Sequence, residues 1–155
     1  MTRFAIAEEA ADSPDVQRCF ERYYAELGTL FGYQPDEALP LAVEDLARPH
    51  GLVLLIREGE VGRAVGCGAL KLLGGNVAEV KRMWIDRRLR GQGLGGRLLD
   101  ELESVAYAEG CSVIRLDSNG RLDAAIALYR ARGYREVLPF NAEPFATHWM
   151  EKRLR

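Results

Sequence analysis

The sequence predicts an α/β fold on one mixed central sheet, antiparallel in its first half and βαβ-like in its second, with helices on the flanks. Three observations predict it. Apolar runs punctuated by hairpin-type turns fill the middle of the chain at residues 52–56, 61–72 and 77–85. Beyond residue 93, two amphipathic helical stretches alternate with short β runs. A separate helical face near the N-terminus precedes the first hairpin. No linker, repeat or low-complexity tract interrupts the 155 residues, so residues 1–155 read as a single domain.

Taken in order, residues 4–7 form a short strand. Ser13-Pro14-Asp15 then starts a helix: a capping hydroxyl, a proline whose missing N–H costs nothing there, and an acid facing the helix dipole. Val16, Phe20, Tyr23, Leu27 and Leu30 or Phe31 give it an apolar face. Residues 32–40 break the pattern, and a weaker helical piece follows at 41–46. Glu58-Gly59-Glu60 and Gly74-Gly75-Asn76 turn the three-strand meander, and Gly66 and Gly68 mark a bulge or a close backbone approach. Leu94, Leu98, Leu102 and Val105 define a helix closed by Gly110. A strand at 113–116, a helix at 123–132 ended by Gly133, a strand at 134–138 and a last strand within 146–152 complete the order.

Composition bounds the function. Apolar residues make up 48% and charged residues 28%, ordinary for a globular protein. A net charge of -2 lacks the basic excess that nucleic-acid or membrane-surface partners favour. Cys19, Cys67 and Cys111 lie far apart without CxxC spacing, and read as reduced, buried thiols. His50 and His148 show no metal spacing, so no metal site is expected. The N-terminus turns acidic too early for a signal peptide, and no apolar run approaches a membrane span. A cytoplasmic location is the expectation.

Residues 90–96 read RGQGLGG, between the strand ending at Ile85 and a helix. A glycine-rich turn there exposes backbone N–H groups beside the positive end of a helix dipole. Arg87, Arg88, Arg90 and Arg97 surround it, so the expected ligand is polyanionic, most simply a pyrophosphate. The P-loop pattern is absent, because no Lys-Ser or Lys-Thr pair follows. Gly91, Gly93 and Gly96 do satisfy GxGxxG, but after a third antiparallel strand rather than in an opening βαβ unit, which speaks against nicotinamide or flavin.

The stretch from Arg90 to Gly95 resembles the [QR]xxGx[GA] acetyl-CoA motif of the GNAT N-acetyltransferase superfamily. A second, independent stretch, AIALYRARGY at residues 125–134, resembles that family's AxxLYxxxGF segment. The element order agrees along essentially the whole chain. The resemblance implies a GNAT-type acyl-CoA N-acyltransferase fold and transfer of acetyl from acetyl-CoA to a primary amine by direct attack in a ternary complex. The amides of Gln92, Gly93, Gly95 and Gly96 would hold the pyrophosphate, with Arg90, Gly91 and Leu94 completing the loop. Met83, Trp84 and Ile85 would pair their backbone with the pantetheine arm, as an added strand does.

The resemblance also implies roles in catalysis. Tyr129 would protonate the departing CoA thiolate. Glu79, on the central strand, would take the acceptor amine's proton or simply pair with Lys81 or Arg82. Lys81 and Arg82, as neighbours on a strand, should point to opposite faces, and either one of them faces an acceptor carrying a carboxylate or phosphate or both pair with local acids such as Glu79. Tyr23, Tyr24 and Phe31 could form part of the acceptor wall. Many family members carry an asparagine seven positions before the tyrosine; Leu122 stands there in this chain. Asn119 is then either a cofactor contact or the start of an Asn-Gly turn, and the helix start near Asp123 is the alternative contact. A non-turning-over acyl-CoA sensor is the competing class, against which Tyr129 and Glu79 argue. The acceptor stays open between small-molecule and peptide amines, with a lean to the small molecule, and family members often form homodimers.

Overall fold

The computed structural model describes residues 3–32, 42–59 and 62–155. Its strands are β1 (Phe4–Glu9), β2 (Gly51–Glu58), β3 (Ala64–Leu72), β4 (Val77–Ile85), β5 (Val113–Ser118), β6 (Arg135–Glu136) and β7 (His148–Arg153). Its α-helices are α1 (Pro14–Phe31), α2 (Leu94–Ala108) and α3 (Asp123–Ala131). The strands form one seven-stranded sheet in the order β1-β2-β3-β4-β5-β7-β6. Every neighbouring pair is antiparallel except β4 and β5, which run parallel across the α2 crossover.

The helix starts follow local chemistry. Ser13 caps α1, its side chain accepting from Val16 N–H at 3.2 Å, and Pro14 occupies the first turn. Gly32 ends α1 in the left-handed conformation (φ 72), where a side chain would be strained. The weaker helical piece is a single 3-10 turn, Val43–Leu46; Leu41 lies outside the described residues, as do Val61 and Glu60 of the first hairpin. β1 runs past Ala7 to Glu9, since Glu8 and Glu9 stay in register with Leu54 and Val53 of β2, their carboxylates meeting Arg48 (2.9 Å) and Arg57 (2.8 Å).

The two sheet faces carry separate cores. On one, Leu54, Ile56, Leu70, Ala78, Val80 and Leu116 pack beneath α2, whose Leu98, Leu99 and Leu102 are fully buried, each burial stabilising by about 1.5–3 kcal/mol. On the other, Val53, Leu55, Cys67, Ala69 and Trp84 meet Val16, Cys19 and Phe20 of α1. Gly68 keeps the first face tight: a Cβ there would stand 3.1 Å from Leu102 and 3.2 Å from Leu98. All three cysteines are buried free thiols.

One predicted strand is shorter than expected. Of residues 134–138, only Arg135 and Glu136 enter the sheet, followed by a single bond from Val137 N–H to Trp149 O. Leu138 is 86% exposed, and Pro139 cannot extend a ladder. Tyr134 instead turns inward, its hydroxyl donating to Glu103 at 2.9 Å.

Candidate active site

Two features of β4 create the site. The first is a splay. β4 pairs with β5 only at Val77, Ala78 and Glu79, while its pairing with β3 continues to Ile85. Residues 80–85 therefore present one edge toward a gap and not toward β5. The second is a bulge. Cys67 faces Trp84 and Ala69 faces Lys81, so Gly68 alone opposes both Arg82 and Met83. Arg82 takes a positive φ of 51, and its carbonyl accepts from the Cys67 thiol at 3.4 Å.

The bulge corrects one expectation. Lys81 and Arg82 do not point to opposite faces, because the extra residue breaks the alternation. Arg82 lies over the rings of Phe20 (4.6 Å) and Tyr24 (5.1 Å) on the α1 side, and both cations line the same cavity. Met83 is displaced to the α2 side.

Two cavities open along the gap. The outer one, about 520 Å³, is bounded by residues 83–85 of β4, the glycine loop, Tyr23 and Glu26 of α1, and Leu128 of α3. Gly91 (φ 83) and Gly93 (φ 81) both adopt left-handed backbone, and Gly93 caps α2. The first intrahelical bond is Arg97 N–H to Gly93 O, so the N–H groups of Leu94, Gly95 and Gly96 have no acceptor within the helix. Arg90, Gly91, Gly93, Leu94, Gly95 and Gly96 all line this cleft; the exposed Gln92 does not. The surrounding arginines are partly committed. Arg90 binds Glu26 (2.8 Å) and the Ile85 carbonyl (3.0 Å), Arg88 binds Asp86 (3.4 Å), and Arg97 reaches the Phe4 carbonyl (3.4 Å). Trp84 contributes backbone only in this sense: its ring packs under α1 and its Nε1–H donates to Glu26 at 3.2 Å.

The inner cavity, about 350 Å³, lies on the α1 side of the splay. One wall is apolar, with Tyr23, Tyr24, Leu27 and Phe31 of α1 and Phe145 stacked on Phe31 at 6.3 Å. The floor is charged. Glu79 is 5% exposed, with Oε1 at 2.6 Å from Lys81 Nζ and Oε2 at 3.2 Å from Arg115. Asp117 Oδ2 stands 3.5 Å from Lys81 and accepts from Asn141 at 2.8 Å, whose own Oδ1 accepts from Trp149 Nε1–H at 2.9 Å. Asp117 Oδ1 takes no hydrogen bond among the described residues. Burial opposes the charge of Lys81, but Asp117 and Glu79 together outweigh it and raise its pKa, so it stays an ammonium.

Tyr129 lines both cavities at their junction, together with Met83, Leu122 and Ala125. It is 7% exposed, and burial, reinforced by the charge of Asp117, pushes its pKa up to about 12. The phenol therefore keeps its proton at neutral pH. Asn119 falls at the inner cavity and not at the glycine loop: its Nδ2–H donates to Phe145 O at 2.7 Å and its Oδ1 accepts from Arg121 N–H at 2.9 Å, the turn alternative. Asp123, the other alternative, does line the outer cleft. Lys71, Arg115, Asp117 and Asn141 were not singled out from the sequence. The available signal was the alternation of Arg115 and Asp117 against buried Ile114 and Leu116, which puts both charges on one face of β5.

A mixed sheet splayed at its parallel pair, with a glycine-built helix start at the gap, defines the acyl-CoA N-acyltransferase class of fold. The Acetyltransferase (GNAT) family model matches residues 14–134. The chain is 34% identical over 141 residues to an IAA acetyltransferase of Azospirillum brasilense, covering 90% of each protein. A Klebsiella pneumoniae protein assigned to the acyl-CoA N-acyltransferases superposes with a TM-score of 0.79 at 33% identity, covering 98% of each chain. The Salmonella typhimurium protein yncA, solved with its cofactor acetyl-CoA, shares the fold at TM-score 0.70 and 16% identity, over 99% of this chain and 95% of its own. The chain belongs to the GNAT acetyltransferase family and is an acyltransferase. Members generally use acetyl-CoA and act on amine acceptors. Among the described residues no group of side chains could hold a metal ion, and no helix is long and apolar enough to cross a membrane.

Proposed function

We propose that this protein transfers the acetyl group of acetyl-CoA to a primary amine of a small molecule, by direct attack in a ternary complex. The observation that carries this reading is the position of Tyr129, a protonated phenol where the outer cleft meets the inner cavity. The outer cleft suits the donor. Its left-handed glycines and the open N–H groups of α2 fit a pyrophosphate, and the unpaired edge at residues 83–85 fits the amides of a pantetheine arm. A backbone N–H of that edge is suited to hold the thioester oxygen as it gains negative charge. The inner cavity, at about 350 Å³, has the size of a small-molecule site.

The chain's own groups then divide the proton work. Asp117, through its open Oδ1, receives the proton that the acceptor ammonium must lose before its lone pair can attack. Glu79, with both oxygens engaged by cations, positions Lys81 and Arg115 around that site. As the new C–N bond forms and the C–S bond breaks, Tyr129 donates its proton to the leaving sulfur, and the attacking nitrogen sheds its second proton, which restores the phenol as the amide forms. The phenol is protonated at neutral pH, as a donor to the departing thiolate must be.

The test is thiol release from acetyl-CoA with a panel of amines, followed by the same panel with longer acyl donors. Release that depends on the amine supports the reading. Tight acetyl-CoA binding with no release by any amine overturns it and leaves a sensor.

A further inference from the structure

We infer that the acceptor is an amine carrying its own anionic group, a carboxylate or phosphate, and that Lys71 is the residue that reads it. This rests on the inner cavity being the acceptor site. The sequence pointed to Lys81 or Arg82 for this task, but Lys81 is consumed: it lies 2.6 Å from Glu79 and 3.5 Å from Asp117. Lys71 is different. It is the cross-strand partner of Glu79 in the β3–β4 register, so the two side chains rise from the same sheet face. Arg115 is the partner of Glu79 on the other side. Lys71, Glu79 and Arg115 thus form one row across three adjacent strands, with Lys81 two residues further along β4.

Glu79 has two carboxylate oxygens, and three cations adjoin it. Oε1 is taken by Lys81 and Oε2 by Arg115. Asp117, the next acid of the floor, is also turned to Lys81. No acid among the described residues pairs with Lys71, although it is half-buried and lines the cavity. A half-buried ammonium facing a cavity and left without a counter-ion favours an anionic ligand. The rest of the cavity fixes the ligand's orientation. The phenol of Tyr129 lies at the junction, where the amine must react, and Asp117 stands on β5 two residues beyond Arg115, toward that end of the parallel strand pair. The anionic group therefore binds at the opposite end, on Lys71, with the rings of Tyr24, Phe31 and Phe145 covering the carbon skeleton between them.

The experiment compares matched acceptors that differ only in the acid. ω-Amino acids from β-alanine to 6-aminohexanoate are set against n-alkylamines of equal length, and phosphoethanolamine against propylamine, each by kcat/KM in thiol release. The acid member of at least one pair should be preferred about tenfold, and the series that responds distinguishes carboxylate from phosphate. Lys71→Met should bring that preference to within twofold, and Lys71→Arg should keep most of it. Turnover of the alkylamines with no preference for any acid overturns this inference while the transferase reading stands, as does a preference unchanged in Lys71→Met. Absence of release with every amine defeats the transferase reading, and the inference falls with it.

Discussion

The two cavities that meet at Tyr129 are built from different material. The outer cleft is made by backbone: left-handed glycines, the open first turn of α2 and the strand edge at residues 83–85. The inner cavity is made by side chains, a floor of lysines, arginines and carboxylates under an aromatic wall. A ligand common to a whole family needs only the backbone, which tolerates changes of side chain. A ligand particular to one member has to be read by charges and shapes, and these sit on the inner side. On the proposed reading, shared chemistry and specificity are divided between the two sides of a single splayed strand pair.

That separation is most severely tested at the glycine loop. Gly93→Val forces a β-branched residue into φ 81 and adds bulk where an anion must approach the amides of α2. The strain costs about 1–3 kcal/mol and each lost charge-assisted bond a comparable amount, so the KM for acetyl-CoA should rise by about 100-fold or more. Gly95→Ala is the control, since its backbone is ordinary and its Cβ would make only van der Waals contacts, with Leu128 at 3.4 Å and Met83 at 3.8 Å. A Gly93→Val enzyme with an unaltered KM for acetyl-CoA would show that the outer cleft is not the donor site.

At the junction, Tyr129→Phe should lower kcat by about 100-fold while acetyl-CoA binding, measured by calorimetry, changes less than threefold. Unchanged turnover in this variant would leave the phenol a packing residue against Tyr134, whose ring lies 5.9 Å away.

Inside the acceptor cavity, Asp117 and Glu79 should respond differently. Asp117→Asn removes the open oxygen and should cut kcat/KM for the amine about tenfold, with an altered pH–rate profile. Glu79→Gln strips the charge from a carboxylate held between Lys81 and Arg115, so its main effect should be on stability, up to about 3 kcal/mol in a urea titration. If instead Glu79→Gln removed the acidic limb of the profile and left stability intact, Glu79 would be the base.

The same contrast explains what the sequence made legible. Glycines that cluster before an amphipathic helix announce a backbone-built site, because few other residues tolerate the left-handed conformation that Gly91 and Gly93 adopt. The meander, the βαβ half and the Ser13 cap were likewise carried by local periodicity and turn chemistry. The inner cavity was not local. Arg115, Asp117 and Asn141 come from a strand and a distant connection, and the alternation that puts Arg115 and Asp117 on one face of β5 does not say that they meet Glu79 and Lys81 of β4. The Arg82 bulge was hidden as well, because an arginine gives no signal of a positive φ; it arises from a register mismatch with Gly68 across the sheet.

The smallest expected effect is on alkaline stability, and it probes the burial of the junction itself. Desolvation raises the Tyr129 pKa from 10.0 to about 12, with the Asp117 charge adding to it, and burial beside Glu103 raises that of Tyr134 further. For both groups the folded state favours the neutral phenol. Their contribution to stability is therefore complete below pH 10 and declines above it, as the unfolded chain ionises first. For Tyr129 that decline spans about pH 10 to 12 and amounts to about 3 kcal/mol at most. Tyr129→Phe deletes this component and leaves that of Tyr134, so the urea-unfolding stability of the variant should fall less steeply than wild type over the same pH range. Parallel slopes would mean that Tyr129 ionises as readily in the folded protein as in the unfolded chain. The phenol would then be in contact with water, and the junction would be an open channel between the two cavities in place of the dry contact that an acid catalyst of high pKa requires.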